Sequence, residues 1–312
     1  MADISAKLVK QLRDITGAGV MACKNALVAT DGDIDKAVEE LRKKGLAAAE
    51  KKAGRIAAEG VVATKLSDDF KKGVIIEVNC ETDFVATNEK FKNYVARVAQ
   101  QAFDSSAATI EAFMAEPWID DASLTVEQAL SQQISIIGEK LSIRRFERIE
   151  TDGILASYIH MGGKIGVLLE LATAADEAAA HQPGQNIAMQ IAAMRPKYLN
   201  RGQVSEEYLE HEKEILLAQI MNDPKESKKP EKVIQGIIMG RVNKELKEIC
   251  LEDQVYFMAA DGKQTVKAYA DQVAKELGVP FSIKSYVRYE KGEGIEKKEE
   301  DFAAEVAKQM SK

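Results

Sequence analysis

The chain repeats itself: Gly73-Val74-Ile75-Ile76-Glu77-Val78 returns 93 residues on as Gly166-Val167-Leu168-Leu169-Glu170-Leu171, and Gly60-Val61 returns as Gly153-Ile154 at the same spacing. A third echo, Ser142-Ile143-Arg144-Arg145-Phe146-Glu147-Arg148 against Ser282-Ile283-Lys284-Ser285-Tyr286-Val287-Arg288, is displaced by 140 residues. The excess of 47 residues measures an insertion in the second copy. Within the first copy, residues 60–66 and 73–78 read as strands of a hairpin across a polar turn. Phe91, Tyr94, Val95, Val98 and Ala99 recur at helical spacing, and 141–149 returns to strand composition. The expectation is a duplicated α+β core.

What flanks and interrupts the core is helical in pattern. From Ile4 to about Gly54, three short helices are expected, with Leu8, Leu12 and Ile15 on one face, then Met21 to Ala29, then Ile34, Val38 and Leu41. Thr16-Gly17-Ala18-Gly19 and Asp31-Gly32-Asp33 supply the breaks. A bundle of about 50 residues is small for independent stability, and it reads as a headpiece on an Ala- and Lys-rich linker, 47–58. The insertion is expected between about Gln203 and Asp253. There Tyr208, His211, Ile215 and Ala218, then Val233, Ile237 and Gly240, mark thin stripes on two antiparallel helices turned by 223–230. A charged tail, 291–299, leads to a short amphipathic helix, Phe302 to Met310.

With 312 residues, 46% hydrophobic and 30% charged, the chain is long enough for two or three packed units. Neither a signal peptide nor a run of about 18 apolar residues is visible, so a soluble cytoplasmic protein is expected. A net charge of -7 opposes broad attraction to nucleic acid and favours a protein partner. Cys23, Cys80 and Cys250 lie far apart and suggest neither a disulfide framework nor a zinc knuckle. His160, His181 and His211 lack a common metal-ligand spacing. Gly162-Gly163-Lys164 lacks the rest of a phosphate loop and reads as a hairpin turn. A thiol enzyme would have to use Cys80, Asp83 and His160, but a cysteine straight after a strand is usually buried and inert. Asp83-Phe84 differs in kind: an aromatic ring and a carboxylate in a polar loop just past a strand. Either Phe84 folds back into the core, or it protrudes as a wedge for a partner's cleft.

Two longer segments then narrow the field. Thr16-Gly17-Ala18-Gly19-Val20-Met21-Ala22-Cys23-Lys24-Asn25-Ala26-Leu27 and Asn79-Cys80-Glu81-Thr82-Asp83-Phe84-Val85-Ala86 closely resemble the two signatures of the elongation factor Ts family. Ile137-Gly138-Glu139, His160 to Val167 and Gly292 to Glu296 resemble further family segments, in the same order. The resemblance implies a UBA-like headpiece (1–54), two core subdomains (55–150 and 151–290), a coiled-coil arm within the second (about 203–253) and a C-terminal module (291–312). It implies a guanine-nucleotide exchange factor for elongation factor Tu, without covalent chemistry, cofactor or metal of its own; GDP and Mg²⁺ belong to the partner. Thr82, Asp83, Phe84 and Val85, with Ile137 and His160, would meet the GTPase domain near its magnesium and phosphate site, while Thr16, Gly17, Gly19, Val20 and Met21 would meet another of its helices. The resemblance leaves open whether the arm pairs with a second copy to make a homo-oligomer or touches something else. An adaptor whose headpiece binds ubiquitin-like proteins is the rival reading.

Overall fold

The computed structural model describes residues 4–296; the helix expected over 302–310 lies outside them. Helix α1, Ala6–Thr16, starts where the Ser5 side chain accepts from Leu8 N and stops at Gly17, whose left-handed backbone favours glycine. α2 spans Val20–Ala29, and α3 spans Ile34–Lys52, capped by Asp33. They bury Val9, Leu12, Cys23, Ala26, Leu27 and Ala37 among themselves. Ile15, expected on the same face as Leu8 and Leu12, is exposed.

β1, Glu59–Leu66, pairs antiparallel with β2, Lys72–Cys80. A short helix, α4 (Asp83–Thr87), precedes α5 (Glu89–Asp104), which lays Phe91, Tyr94, Val95 and Val98 on the sheet. After α6, Ile110–Ala115, a small hairpin of β3 (Pro117–Trp118) and β4 (Asp121–Thr125) leads into α7, Val126–Ile137. Thr125 opens α7 with a reciprocal capping box shared with Gln128. β5, Ser142–Glu150, returns beside β2, giving the order β1-β2-β5. The second copy builds the same sheet from β6 (Ile154–His160), β7 (Ile165–Thr173) and, after α8 (Glu177–Met194), α9 (Glu206–Asn222), α10 (Glu231–Ile249) and α11 (Val266–Leu277), β8 (Phe281–Glu290), in the order β6-β7-β8. The chain is mixed α+β, as expected.

α9 and α10 make the insertion, joined through 223–230. They run antiparallel, with Tyr208 near the start of α9 donating its hydroxyl to Glu245 near the end of α10, at 2.6 Å. The expected stripes are displaced. Ile234, Ile238, Val242 and Leu246 are buried with Ile220, whereas Ile215 and Val233 stay exposed. Apolar side chains at 233–234 and 237–239 offer two seams one residue apart, and only the facing helix chooses between them.

The repeated hexapeptides are apolar on both strand faces because both faces are covered. Val74, Ile76 and Val78 face α5, and Val167, Leu169 and Leu171 face the helices of their own copy. Ile75 and Leu168 point the other way and meet between the sheets, with Val62, Leu155 and Tyr289. The leading glycines make room for that contact: a Cβ on Gly73 would lie 2.9 Å from Leu155, and one on Gly166 would lie 2.4 Å from Val62. Gly60 and Gly153 press instead on the backbone, at the carbonyls of Val78 and Leu171. The two copies also exchange equivalent bonds, Leu155 N donating to Phe70 O and Val62 N to Gly163 O, each 2.8 Å. Buried Glu77 accepts from Arg144 (3.0 Å) and Arg145 (2.6 Å), and its counterpart Glu170 accepts from Lys284 (2.8 Å) and Ser285 (2.7 Å). Each buried carboxylate is thus hydrogen-bonded and faces a cation.

Candidate partner-binding site

Asp83 and Phe84 lie on a helix, not the loop expected from their polar surroundings. The Thr82 hydroxyl caps α4, accepting from Val85 N at 3.3 Å, and the chain turns helical at Asp83. Val85 is half-buried against the first core and Ala86 is buried, which turns the opposite side of the turn to water. Phe84 is 84% exposed, and Asp83 beside it is exposed as well. Of the two readings of Phe84, the core side chain is excluded. The second copy has no such ring: Asp176 caps α8, which then runs without a break, so the separate short helix carrying Phe84 belongs to the first copy alone.

Beneath α4, the buried Cys80 thiol donates to Thr82 O at 3.2 Å. Burial, assisted by the Glu139 and Glu59 carboxylates, pushes this thiol up to about 12. Held protonated at neutral pH, it has no nucleophilic character. His160 sits at the end of β6, its Nδ1 3.0 Å from the Tyr158 hydroxyl, and among the described residues no hydrogen bond joins it to Cys80 or Asp83. Cys80 is thus hydrogen-bonded to a backbone carbonyl and His160 to a tyrosine hydroxyl. Among the described residues, no group of three or more His, Cys, Asp or Glu is placed to hold a metal ion, and no helix is long and apolar enough to cross a membrane.

The last turn of α7 joins the other expected residues. Ile137 ends the helix half-buried on the first core, and Gly138 turns the chain with φ 88°. Glu139 follows, and its carboxylate accepts from Glu81 N (3.1 Å), Thr82 N (3.0 Å) and the Thr82 hydroxyl (2.6 Å). In return, the Glu81 carboxylate accepts from Lys140 N at 2.5 Å and pairs with Arg55 at 3.3 Å. On the other side of α7, the turn between α1 and α2 packs against Ile136, forming a cleft lined by Thr16, Ala18 and Gly19 opposite Gln132, Ser135 and Ile136. Thr16 tightens this turn by donating to Leu12 O (2.8 Å) and accepting from Ala18 N (3.3 Å). Gly17 closes α1 and Gly19 opens α2, leaving Val20 and Met21 51% and 65% exposed. The helices 6–52 thus lie on α7, with Gly45 of α3 against its Ser131 carbonyl.

His160 stands apart from this group. The β6–β7 turn that follows it reaches the first copy through Val62 of β1, the strand on which α4 also packs. Sequence reasoning did not put forward as site residues two exposed apolar neighbours, Ile15 and Met161, or Glu139, although Ile15 was placed on a helix face and the other two stand in segments quoted for their resemblance. Met161 stands in the quoted segment after His160, and its left-handed backbone (φ 48°) carries no signal in a methionine's identity. A glutamate in a Gly-Glu-Lys turn gives no sign of its importance until its partner is known.

A family model described as Elongation factor TS matches residues 81–293, which takes in α4, α7, β5 and the whole of the second sheet. The chain belongs to the elongation factor Ts family. It is 49% identical over 310 residues to the elongation factor Ts of Clostridium perfringens (strain SM101 / Type A), covering 99% of this chain and 100% of that protein. It is 48% identical over 309 residues to the elongation factor Ts of Clostridium botulinum (strain ATCC 19397 / Type A), covering 99% of both. Membership of the elongation factor Ts family places the chain among the elongation factors of protein biosynthesis.

Proposed function

We propose that this chain is a guanine-nucleotide exchange factor for elongation factor Tu, working in the cytoplasm. The observation that carries the reading is Phe84, a large apolar ring standing in water on a helical turn whose base is hydrogen-bonded to another element. A rigid aromatic held in this way enters a cleft with little loss of conformational freedom, and the adjacent Asp83 carboxylate competes for polar groups there. In this reading, Asp83 and Phe84 enter between two helices of the GTPase domain, flanked by Thr82, Val85, Ile137 and His160, and disturb its Mg²⁺ and phosphate site. Thr16 to Met21, on a UBA-like headpiece, hold a second helix of that domain. The C-terminal module adds a further contact outside this centre, and the antiparallel coiled-coil arm either pairs with a second copy of the chain or touches another surface.

Exchange requires no covalent step. If the factor binds the nucleotide-free GTPase more tightly than the GDP-bound form, it must weaken GDP by the same factor that GDP weakens it. Loosening the metal and phosphate contacts removes the strongest charge interactions holding GDP, and GTP then displaces the factor. Stopped-flow release of a fluorescent GDP analogue from elongation factor Tu, with and without this chain, tests partner and activity together. Acceleration that saturates with chain concentration is expected. No acceleration, together with binding of ubiquitin-like proteins by the same chain, would move the assignment to the adaptor.

A further inference from the structure

α4 has only five residues, too short to hold its own shape, and Ala86 is its one buried side chain. Its start is fixed from outside. Both oxygens of the Glu139 carboxylate are engaged by residues 81 and 82: one by two successive backbone N–H groups, the other by the hydroxyl that caps the helix. Glu81 answers by accepting from the backbone of Lys140. Two segments far apart in sequence therefore hold each other by carboxylate-to-backbone bonds running in both directions. Such charge-assisted bonds are stronger and shorter than neutral ones. The Lys140 ammonium extends the brace by donating to Ala53 O and Arg55 O, each at 2.7 Å, just beyond α3.

We infer that Glu139 is the positioning residue for Phe84: it aims the ring by fixing the two residues before Asp83, and it makes the start of α4 rigid before any partner arrives. The inference rests on the exchange reading for its effect on activity, but its structural content is independent of that reading. Without the carboxylate, the N–H groups of Glu81 and Thr82 turn to water and the direction of the ring is lost, while the core beneath keeps its packing.

The test uses the full chain carrying Glu139→Ala, Glu139→Gln, Phe84→Ala or Glu139→Ala with Phe84→Ala, with melting temperatures as fold controls. Glu139→Ala is expected to slow stimulated GDP release about tenfold, the scale of losing hydrogen bonds to a charged group. Glu139→Gln, whose amide oxygen accepts both N–H bonds while its amino group donates to Thr82 Oγ1, should stay within about twofold of the parent. The double variant should be no slower than Phe84→Ala alone, as for one residue acting through the other. Amide hydrogen exchange should show Glu81 and Thr82 losing protection in Glu139→Ala. Parental speed in Glu139→Ala overturns the inference. Additive losses in the double variant, or a glutamine as slow as the alanine, would do the same, pointing to direct contact of the Glu139 charge with the partner. Should Glu139→Ala unfold, Glu139→Asp, one methylene too short to serve both N–H groups, takes its place with the same expectations. A parent chain that leaves GDP release unchanged sinks the exchange reading only; unchanged protection at Glu81 and Thr82 sinks the positioning.

Discussion

Phe84 and Cys80, four residues apart, show how burial divides chemistry at the level of single side chains. The ring of Phe84 touches little of its own protein, so Phe84→Ala should shift the melting temperature by no more than about 2 °C, as for other exposed substitutions. The same change should slow stimulated GDP release roughly thirtyfold, the loss expected of a central aromatic anchor; parental activity in a stopped-flow assay would remove the wedge. Cys80 is the opposite case. Its thiol ordinarily titrates near 9.0 and is pushed up to about 12 when folded, so the folded chain holds that proton more tightly than the unfolded chain does. The stability it contributes is whole below about pH 9 and is lost as pH rises through about 12. Thermal melts should therefore begin to fall from about pH 9, below the range in which tyrosines first titrate, and Cys80→Ala should lessen that first part of the slope, the Cys250 thiol, also pushed up by burial, supplying the rest. A parent chain with a level melting temperature from about pH 9 to 10 would contradict the assignment.

Among the elements, those with both faces covered were the most legible. Val74 to Val78 and Val167 to Leu171 read as strands because each is a short, mostly apolar run led by a glycine, and α5 showed its buried face because only one face is apolar. Legibility failed where local pattern allowed two answers. α10 carries competing seams through Val233 and Ile234, and α1 offers Ile15 a face that the fold leaves uncovered. Asp83 to Thr87 look like a loop because their neighbours are polar, while the helix depends on Thr82 and on a glutamate from another segment. Of the candidate site, the exposed pair at 83–84 could be found from sequence; the brace beneath it could not, since it is made between distant residues. The arm has a thin core, so Ile238→Ala should cost about 2 kcal/mol, the low end for a buried isoleucine. Amide hydrogen exchange should rise in α9 and α10 and stay unchanged in both sheets; a rise spread over the whole chain would show the arm to be part of the main cooperative unit.

At the scale of the whole molecule, the two sheets share one inner layer, and its thickness is set by small residues. Gly166→Val would drive methyl groups into Val62 with no room to retreat, at a cost of about 3 kcal/mol by urea unfolding; an unchanged midpoint would show that the sheets can separate freely. The inner layer is also nearly symmetric. Val62 reaches the backbone of Gly163 as Leu155 reaches that of Phe70, and the side chains of Ile75 and Leu168 meet at its centre. A surface that satisfies its own near-copy is self-complementary, which is the condition for a twofold dimer. Separated from its sequel, the segment 55–150 would leave that surface bare to water. The join between the copies therefore does for one chain what mass action does for a homodimer: it supplies the second half at a concentration that dilution cannot lower.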